Sequence, residues 1–101
     1  MTAAPPDINA MIKVEMYATP WCPYCDAARS LFGRKGVTCE EVDAMDPQVR
    51  ADMIQRSHGH RTVPQIFIDG RHIGGYEEVA ALERGGRLDP LLSGGEGPVG
   101  N

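Results

Sequence analysis

The first half of the chain predicts two strands with a helix between them. Apolar and charged residues alternate from Ile12 to Tyr17, as expected of a strand whose side chains point to opposite faces in turn. From Cys22 to Lys35 the apolar residues recur instead at helical spacing, and Gly36 stands where such a helix ends. The short stretch from Val37 to Val42, with its β-branched residues, then predicts a second strand.

The second half predicts two helices with a hairpin between them. Asp46-Pro47 is typical of a helix start, with the aspartate as N-cap and the proline at the first helical position. Gln65 to Ile68 is an apolar run, and Asp69-Gly70 after it is a strong hairpin signal that makes Arg71 to Ile73 the returning strand. A last helix is predicted from Glu77 to Arg84.

The order of these elements, β-α-β-α-β-β-α, predicts an α/β domain. A β-α-β unit requires a right-handed crossover between parallel strands, and the hairpin adds an antiparallel pair. The expected fold is a four-stranded mixed sheet flanked by three helices. We expect this domain to span residues 11–92, with a flexible N-terminal extension over residues 1–10 and a flexible, glycine-rich tail over residues 93–101.

Composition narrows the class of function. A chain of 101 residues is long enough for one compact domain. A net charge of -4 without a basic stripe argues against nucleic acid or an anionic membrane as the partner. No apolar run approaches the roughly 20 residues that span a bilayer, and Met1 to Ala10 lacks the features of a secretory signal. We therefore expect a cytoplasmic protein, whose odd number of cysteines does not indicate a disulfide framework.

The motif Cys22-Pro23-Tyr24-Cys25 carries the candidate chemistry. Cys22 follows the first strand and begins a helix, where free N–H groups and the positive end of the helix dipole favour a thiolate. Cys25 lies one turn later, so its sulfur can reach the sulfur of Cys22. We therefore expect Cys22 to attack a disulfide, and Cys25 or an external thiol to resolve the resulting mixed disulfide.

Two other interpretations of this motif are half of a zinc site and a structural disulfide. A zinc site needs two further ligands, and the available Cys39, His58, His60 and His72 contain no second close pair with standard zinc spacing. A structural disulfide does not fit a reducing compartment. The helix-start context favours redox chemistry, with Cys39 as a buried inert thiol and the histidines His58 and His60 on a loop surface.

Two further segments are candidate binding elements. In Thr62-Val63-Pro64, the proline is either an ordinary strand-leading proline or a cis-proline that exposes the backbone of Val63 to an incoming peptide. In Gly74-Gly75-Tyr76-Glu77-Glu78, a glycine turn opens a helix whose N–H groups can hold a carboxylate. Glutamates in a first helical turn are equally plain helix starters. The residues alone leave both alternatives open.

Taken together, these motifs resemble those of the glutaredoxins. The resemblance rests on Cys22-Pro23-Tyr24-Cys25, on Thr62-Val63-Pro64 and on Gly74-Gly75, and it covers roughly residues 12–92. It implies the thioredoxin fold and a dithiol enzyme that uses glutathione as co-substrate, with no metal. By the same resemblance, the residues that contact glutathione are Tyr24, Arg50, Thr62, Val63, Pro64, Gly75, Tyr76, Glu77 and Glu78.

The resemblance also implies the reaction partners. Glutathione would recycle an enzyme that reduces disulfide-bonded or glutathionylated proteins, ribonucleotide reductase among them, and we expect a monomer. One departure from the family pattern is Thr19, because many glutaredoxins carry a lysine three residues before the first cysteine. Rival hypotheses are a thioredoxin-like protein recycled by a flavoprotein reductase and an iron–sulfur carrier, against which Pro23 beside Cys22 argues.

Overall fold

The computed structural model describes residues 12–92, so the expected extension over residues 1–10 and the expected tail over residues 93–101, like Met11, lie outside the described residues. The strands are β1 (Val14–Ala18), β2 (Cys39–Asp43), β3 (Gln65–Ile68) and β4 (Arg71–Gly74). The helices are α1 (Pro23–Arg34), α2 (Pro47–Arg56), α3 (Tyr76–Arg84) and α4 (Leu88–Leu92).

The strands form one sheet in the order β2-β1-β3-β4. Strands β1 and β2 are parallel, with Val14 opposite Cys39, as the connection through α1 requires. Strand β3 is antiparallel both to β1 and to its hairpin partner β4. The four-stranded mixed sheet expected from the sequence is thus confirmed, and β1 lies at its centre beside β3.

Local sequence signals set the starts and turns of these elements. The Asp46 side chain accepts hydrogen bonds from the backbone N–H groups of Gln48 and Val49, at 2.8 and 3.4 Å, and so caps α2 as expected. Asp69 and Gly70 have φ angles of 52° and 85°. Both values lie in the left-handed region that a tight two-residue hairpin turn needs.

Both faces of the sheet are buried. On one face, residues of β1 and β3 pack against α1, α3 and α4; this core contains Val14, Met16, Ala18, Ala28, Leu31, Phe32, Ile66, Ile68, Val79, Leu88 and Leu92. On the other face, alternate residues of the same strands pack against α2; this smaller core contains Tyr17, Ala44, Met53 and Phe67. The alternation along β1 and β3 therefore sends apolar side chains to both faces.

Helix α4 is an addition to the three helices expected from the sequence. Its segment is only five residues long and contains Pro90, so its pattern is too short to predict a helix. Leu88 and Leu92 are both buried, so this segment packs back on the core. Among the helices between residues 12 and 92, none combines the length and the apolar character that crossing a bilayer requires.

Candidate active site

Cys22 stands at the N-terminal cap of α1. Its backbone is extended, with φ -111° and ψ 105°, and Pro23 after it occupies the first helical position. The Cys22 Sγ accepts a hydrogen bond from the Cys25 N–H at 3.1 Å. The sulfur therefore takes the place of a capping oxygen, where an N–H donor and the helix dipole both favour negative charge on it.

Cys25 occupies a different environment one turn along α1. Its side chain is fully buried, at 0% exposure, whereas Cys22 reaches the surface with 9%. Burial first, and the hydrogen bond with Cys22 second, raise the pKa of Cys25 to about 12. At neutral pH Cys25 is accordingly a protonated thiol. It therefore suits the later, resolving step better than the first attack on a disulfide, which needs a thiolate.

Trp21 and Arg29 flank the cysteine motif along the chain. Trp21 is 91% exposed and has a φ of 58°, a conformation uncommon for a bulky residue. Arg29, one turn after Cys25, donates to both oxygens of Glu41 at 2.6 and 2.9 Å and also pairs with Asp26. Its charge is thereby balanced by two carboxylates, which makes it a poor substitute for the lysine that many glutaredoxins carry at the position of Thr19.

A groove of about 380 Å³ opens beside Cys22. It is lined by Tyr24, Thr62, Val63, Pro64, Gly75, Tyr76, Glu77 and Glu78, that is, by every residue predicted to contact glutathione except Arg50. The Cys22 Sγ lies 3.9 Å from the carbonyl oxygen of Val63, so the reactive sulfur borders the groove. The Tyr24 and Tyr76 rings lie 6.3 Å apart between centroids, one from α1 and one from α3.

The Val63–Pro64 peptide bond is cis, so this proline has the isomer of the second alternative left open by the sequence. The backbone of Gly75 closes on the same loop, since a Cβ at Gly75 would lie 3.3 Å from the Pro64 carbonyl oxygen. Glu78 accepts a hydrogen bond from the Gly75 N–H at 2.7 Å and so caps its own helix. One carboxylate oxygen of Glu78 is thus used to cap α3, although the same side chain also lines the groove.

Arg50 lies outside the groove lining. Its guanidinium Nη2 donates to the carbonyl oxygen of Arg61 at 2.7 Å, in the loop that leads to Thr62. Its predicted contact with a ligand carboxylate stays a prediction.

Cys39 is half-buried rather than buried, and burial, followed by the charge of Glu41, raises its pKa to about 11.

The sequence motifs assign no role to Gln65, and His72 is considered there only as a zinc ligand. Gln65 is one of two buried polar residues among those described, the other being Ser57. Its side-chain amide contacts Thr62 on one side and His72 on the other. A polar residue at the start of an apolar strand was the available signal. His58 and His60 are exposed, as expected, and their rings lie 6.2 and 5.3 Å from the His72 ring.

Comparison with known proteins agrees with this geometry. The glutaredoxin family model matches residues 14–73. A glutaredoxin from Pseudomonas aeruginosa is 48% identical over 85 residues, which cover 82% of this chain and 99% of that protein. Glutaredoxin 3 from Escherichia coli (strain K12) is 49% identical over 84 residues, which cover 81% and 99%.

A solved structure shares the same architecture. The crystal structure of a buckwheat glutaredoxin–glutathione complex superimposes with a TM-score of 0.76 and 29% identity, covering 92% of this chain and 86% of that chain. This likeness shows a thioredoxin-like fold. The chain therefore belongs to the glutaredoxin family and is a thiol–disulfide oxidoreductase.

Proposed function

We propose that this oxidoreductase depends on glutathione and reduces glutathione mixed disulfides and protein disulfides through Cys22 and Cys25. The observation that carries the proposal is the groove beside Cys22, which brings together side chains from α1, the loop before β3 and the start of α3. These segments are distant in sequence, and they meet at the groove beside the reactive sulfur. A complex of the related buckwheat protein with glutathione supports the same ligand.

The chemical character of the groove fits a tripeptide that carries carboxylates and an ammonium group. The first N–H groups of α3, at Tyr76 and Glu77, have no partner within the helix and can hold a carboxylate. The Glu77 carboxylate is exposed and suits an ammonium group. The backbone of Val63 suits the peptide groups of the cysteinyl residue, whose sulfur must reach Cys22.

In the proposed first step, the Cys22 thiolate attacks the glutathione sulfur of a mixed disulfide. The new Cys22–glutathione bond forms as the old disulfide bond breaks, and the substrate sulfur leaves with the electron pair as a thiolate. A second glutathione then attacks the glutathione sulfur on Cys22, which yields oxidised glutathione and regenerates the Cys22 thiolate. The N–H of Cys25, 3.1 Å from the Cys22 sulfur, stabilises the charge whenever Cys22 is the leaving group.

Protein disulfides require the second cysteine. Cys25 loses its proton and attacks Cys22 in the protein–Cys22 mixed disulfide, which releases the remaining substrate thiolate and leaves a Cys22–Cys25 disulfide. Two glutathiones then reduce that disulfide, which regenerates the two cysteine thiols and yields oxidised glutathione. A cytoplasmic location, where glutathione keeps thiols reduced, belongs to the same proposal, as do glutathionylated or disulfide-bonded client proteins such as ribonucleotide reductase.

The test is glutathione-dependent reduction of a small glutathione mixed disulfide by the native chain, Cys22→Ser and Cys25→Ser. We expect Cys22→Ser to abolish turnover, because it removes the nucleophile, and Cys25→Ser to keep most of it, because the monothiol cycle needs only Cys22. With a protein disulfide as substrate, both variants should lose activity. A native chain without glutathione-dependent turnover would contradict the proposal and favour recycling by a flavoprotein reductase.

A further inference from the structure

Gln65 is a buried amide whose two ends are both bound. Its Nε2 lies 3.0 Å from the carbonyl oxygen of Thr62 and 3.3 Å from the Thr62 hydroxyl. Its Oε1 lies 2.7 Å from the Nε2 atom of His72. The side chain is 2% exposed, so these contacts replace water rather than compete with it. None of these atoms reacts in the proposed chemistry, and Gln65 and His72 do not line the groove beside Cys22.

The chemistry of these atoms leaves one direction for the hydrogen bonds. The Thr62 carbonyl can only accept, so the amide nitrogen of Gln65 must face it. The amide oxygen then faces His72, and the His72 Nε2 must carry the proton that it donates. His72 therefore donates to Gln65, and Gln65 donates to Thr62. We call this series of hydrogen bonds the relay; it begins on β4 and ends on the loop before the cis-proline.

This relay sets the direction of the next N–H group. The peptide between Thr62 and Val63 is trans, since the one cis bond among the described residues is Val63–Pro64. In a planar trans peptide the carbonyl and the N–H point in opposite directions. Because the Thr62 carbonyl points inward to Gln65, the Val63 N–H points away from it. No group within residues 12–92 accepts from this N–H, and Val63 lines the groove.

We infer that Gln65 and His72 are positioning residues, which orient the Val63 N–H toward the peptide backbone of a disulfide substrate. The inference rests on the proposed function, because it assigns the recipient of this N–H to the peptide that brings sulfur to Cys22. The side chains of Gln65 and His72 do not contact Cys22, and the Val63 carbonyl oxygen that lies 3.9 Å from the Cys22 Sγ belongs to the next peptide, between Val63 and Pro64. Loss of the relay weakens the binding of peptide-like disulfides and leaves the intrinsic reactivity of the thiol as it was.

The test uses Gln65→Met, which keeps the side-chain length without the amide, and His72→Phe, which keeps a ring against Phe67 and His60. For a small glutathione mixed disulfide we expect KM to rise about fivefold to tenfold, the loss of about one hydrogen bond, with kcat within about twofold. The rate of Cys22 alkylation by iodoacetamide, a reagent without a peptide backbone, should stay within about twofold of the native rate. Thermal melting identifies a variant that fails to fold, in which case His72→Phe at the half-buried position carries the test.

Two matched variants and one spectrum complete the experiment. His72→Gln restores a donor near the Nε2 position and should return KM to near the native value, whereas His58→Asn, a histidine that contacts the His72 ring but not Gln65, should leave KM unchanged. Nitrogen-15 spectra should show the Nε2–H tautomer of neutral His72 in the native chain. Three results would each overturn the inference, provided that the native chain is active. They are an unchanged KM in His72→Phe, a fall in alkylation rate as large as the rise in KM, and the Nδ1–H tautomer of His72. An inactive native chain would instead overturn the proposed function.

Discussion

At the scale of single residues, the two cysteines of the motif divide the chemistry because their solvent exposure differs. Cys22 holds its sulfur at a helix cap beside the groove and is 9% exposed, whereas Cys25 is fully buried one turn along α1. Burial raises the pKa of Cys25 to about 12, and it raises the pKa of the partly buried third thiol, Cys39, to about 11. Proton loss from either thiol at neutral pH is therefore rare.

This difference predicts which thiol is alkylated in the reduced, folded protein. Between pH 7 and about pH 9, iodoacetamide should label Cys22 and leave Cys25 and Cys39 unlabelled on the timescale of Cys22 labelling, because only thiolates react and burial keeps the other two protonated. Peptide mass spectrometry after quenching gives the occupancy of each site. In denaturant all three cysteines should label at similar rates; rapid native labelling of Cys25 would contradict the assignment.

At the scale of elements, the groove depends on how closely β4 and α3 approach the loop at Pro64. Gly74 has a φ of 129°, and a Cβ built there would lie 2.8 Å from the Glu78 Cγ. That carboxylate caps α3 through the Gly75 N–H. A side chain at Gly74 would therefore disturb both the backbone conformation and the cap, at the point where the helix start borders the groove.

Gly74→Ala should lower the free energy of unfolding by about 2–4 kcal/mol, as the sum of a strained φ and a weakened cap. Gly36→Ala is the matched control: its φ of 72° is also left-handed, but nothing lies within 4 Å of a Cβ there. That variant should lose only about 1–2 kcal/mol. Urea denaturation measures both values, and equal losses at the two positions would show that displacement of Glu78 contributes nothing.

At the scale of the whole molecule, the sheet is buried on both faces, and the hairpin edge is packed against histidines. The His72 ring contacts Phe67 of β3 and lies beside His58 and His60 from the loop after α2, with Glu78 of α3 facing it as well. Burial first, and then the charges of His60 and His58, lower the pKa of His72 from its ordinary 6.5, while Glu78 opposes this shift. Proton uptake at this site therefore favours the unfolded chain.

The stability of the domain should consequently fall as pH is lowered from about 6.5. Below that value the unfolded chain binds a proton at His72 before the folded chain does. The contribution of neutral His72 to the free energy of unfolding is therefore present above the unfolded pKa of 6.5 and is lost on acidification. Urea denaturation at pH 7.5 and pH 5 should show that the free energy of unfolding falls less between these pH values for His72→Phe than for the native chain. An equal or larger loss in the variant would place the acid sensitivity elsewhere.

The sequence was sufficient to predict the strands and the main helices because their signals are local. The Asp46-Pro47 cap, the Asp69-Gly70 turn and the alternation along β1 each act within a few residues, and each is found as expected. Strand and helix ends differ by one or two residues; α3, for example, begins at Tyr76 rather than at Glu77. Helix α4 escaped prediction because tertiary burial of Leu88 and Leu92, not helical propensity, holds it.

By itself the sequence determined the order of the elements, the mixed sheet and the placement of Cys22 at a helix start, because these follow from periodicity, caps and turns. Tertiary structure alone decided the isomer of the Val63–Pro64 bond, the burial of Cys25 and the position of Arg50 outside the groove. It also decided the relay through Gln65, which joins β4 to the loop before β3. These features depend on contacts between residues far apart in the chain, and no local pattern encodes the distances between them.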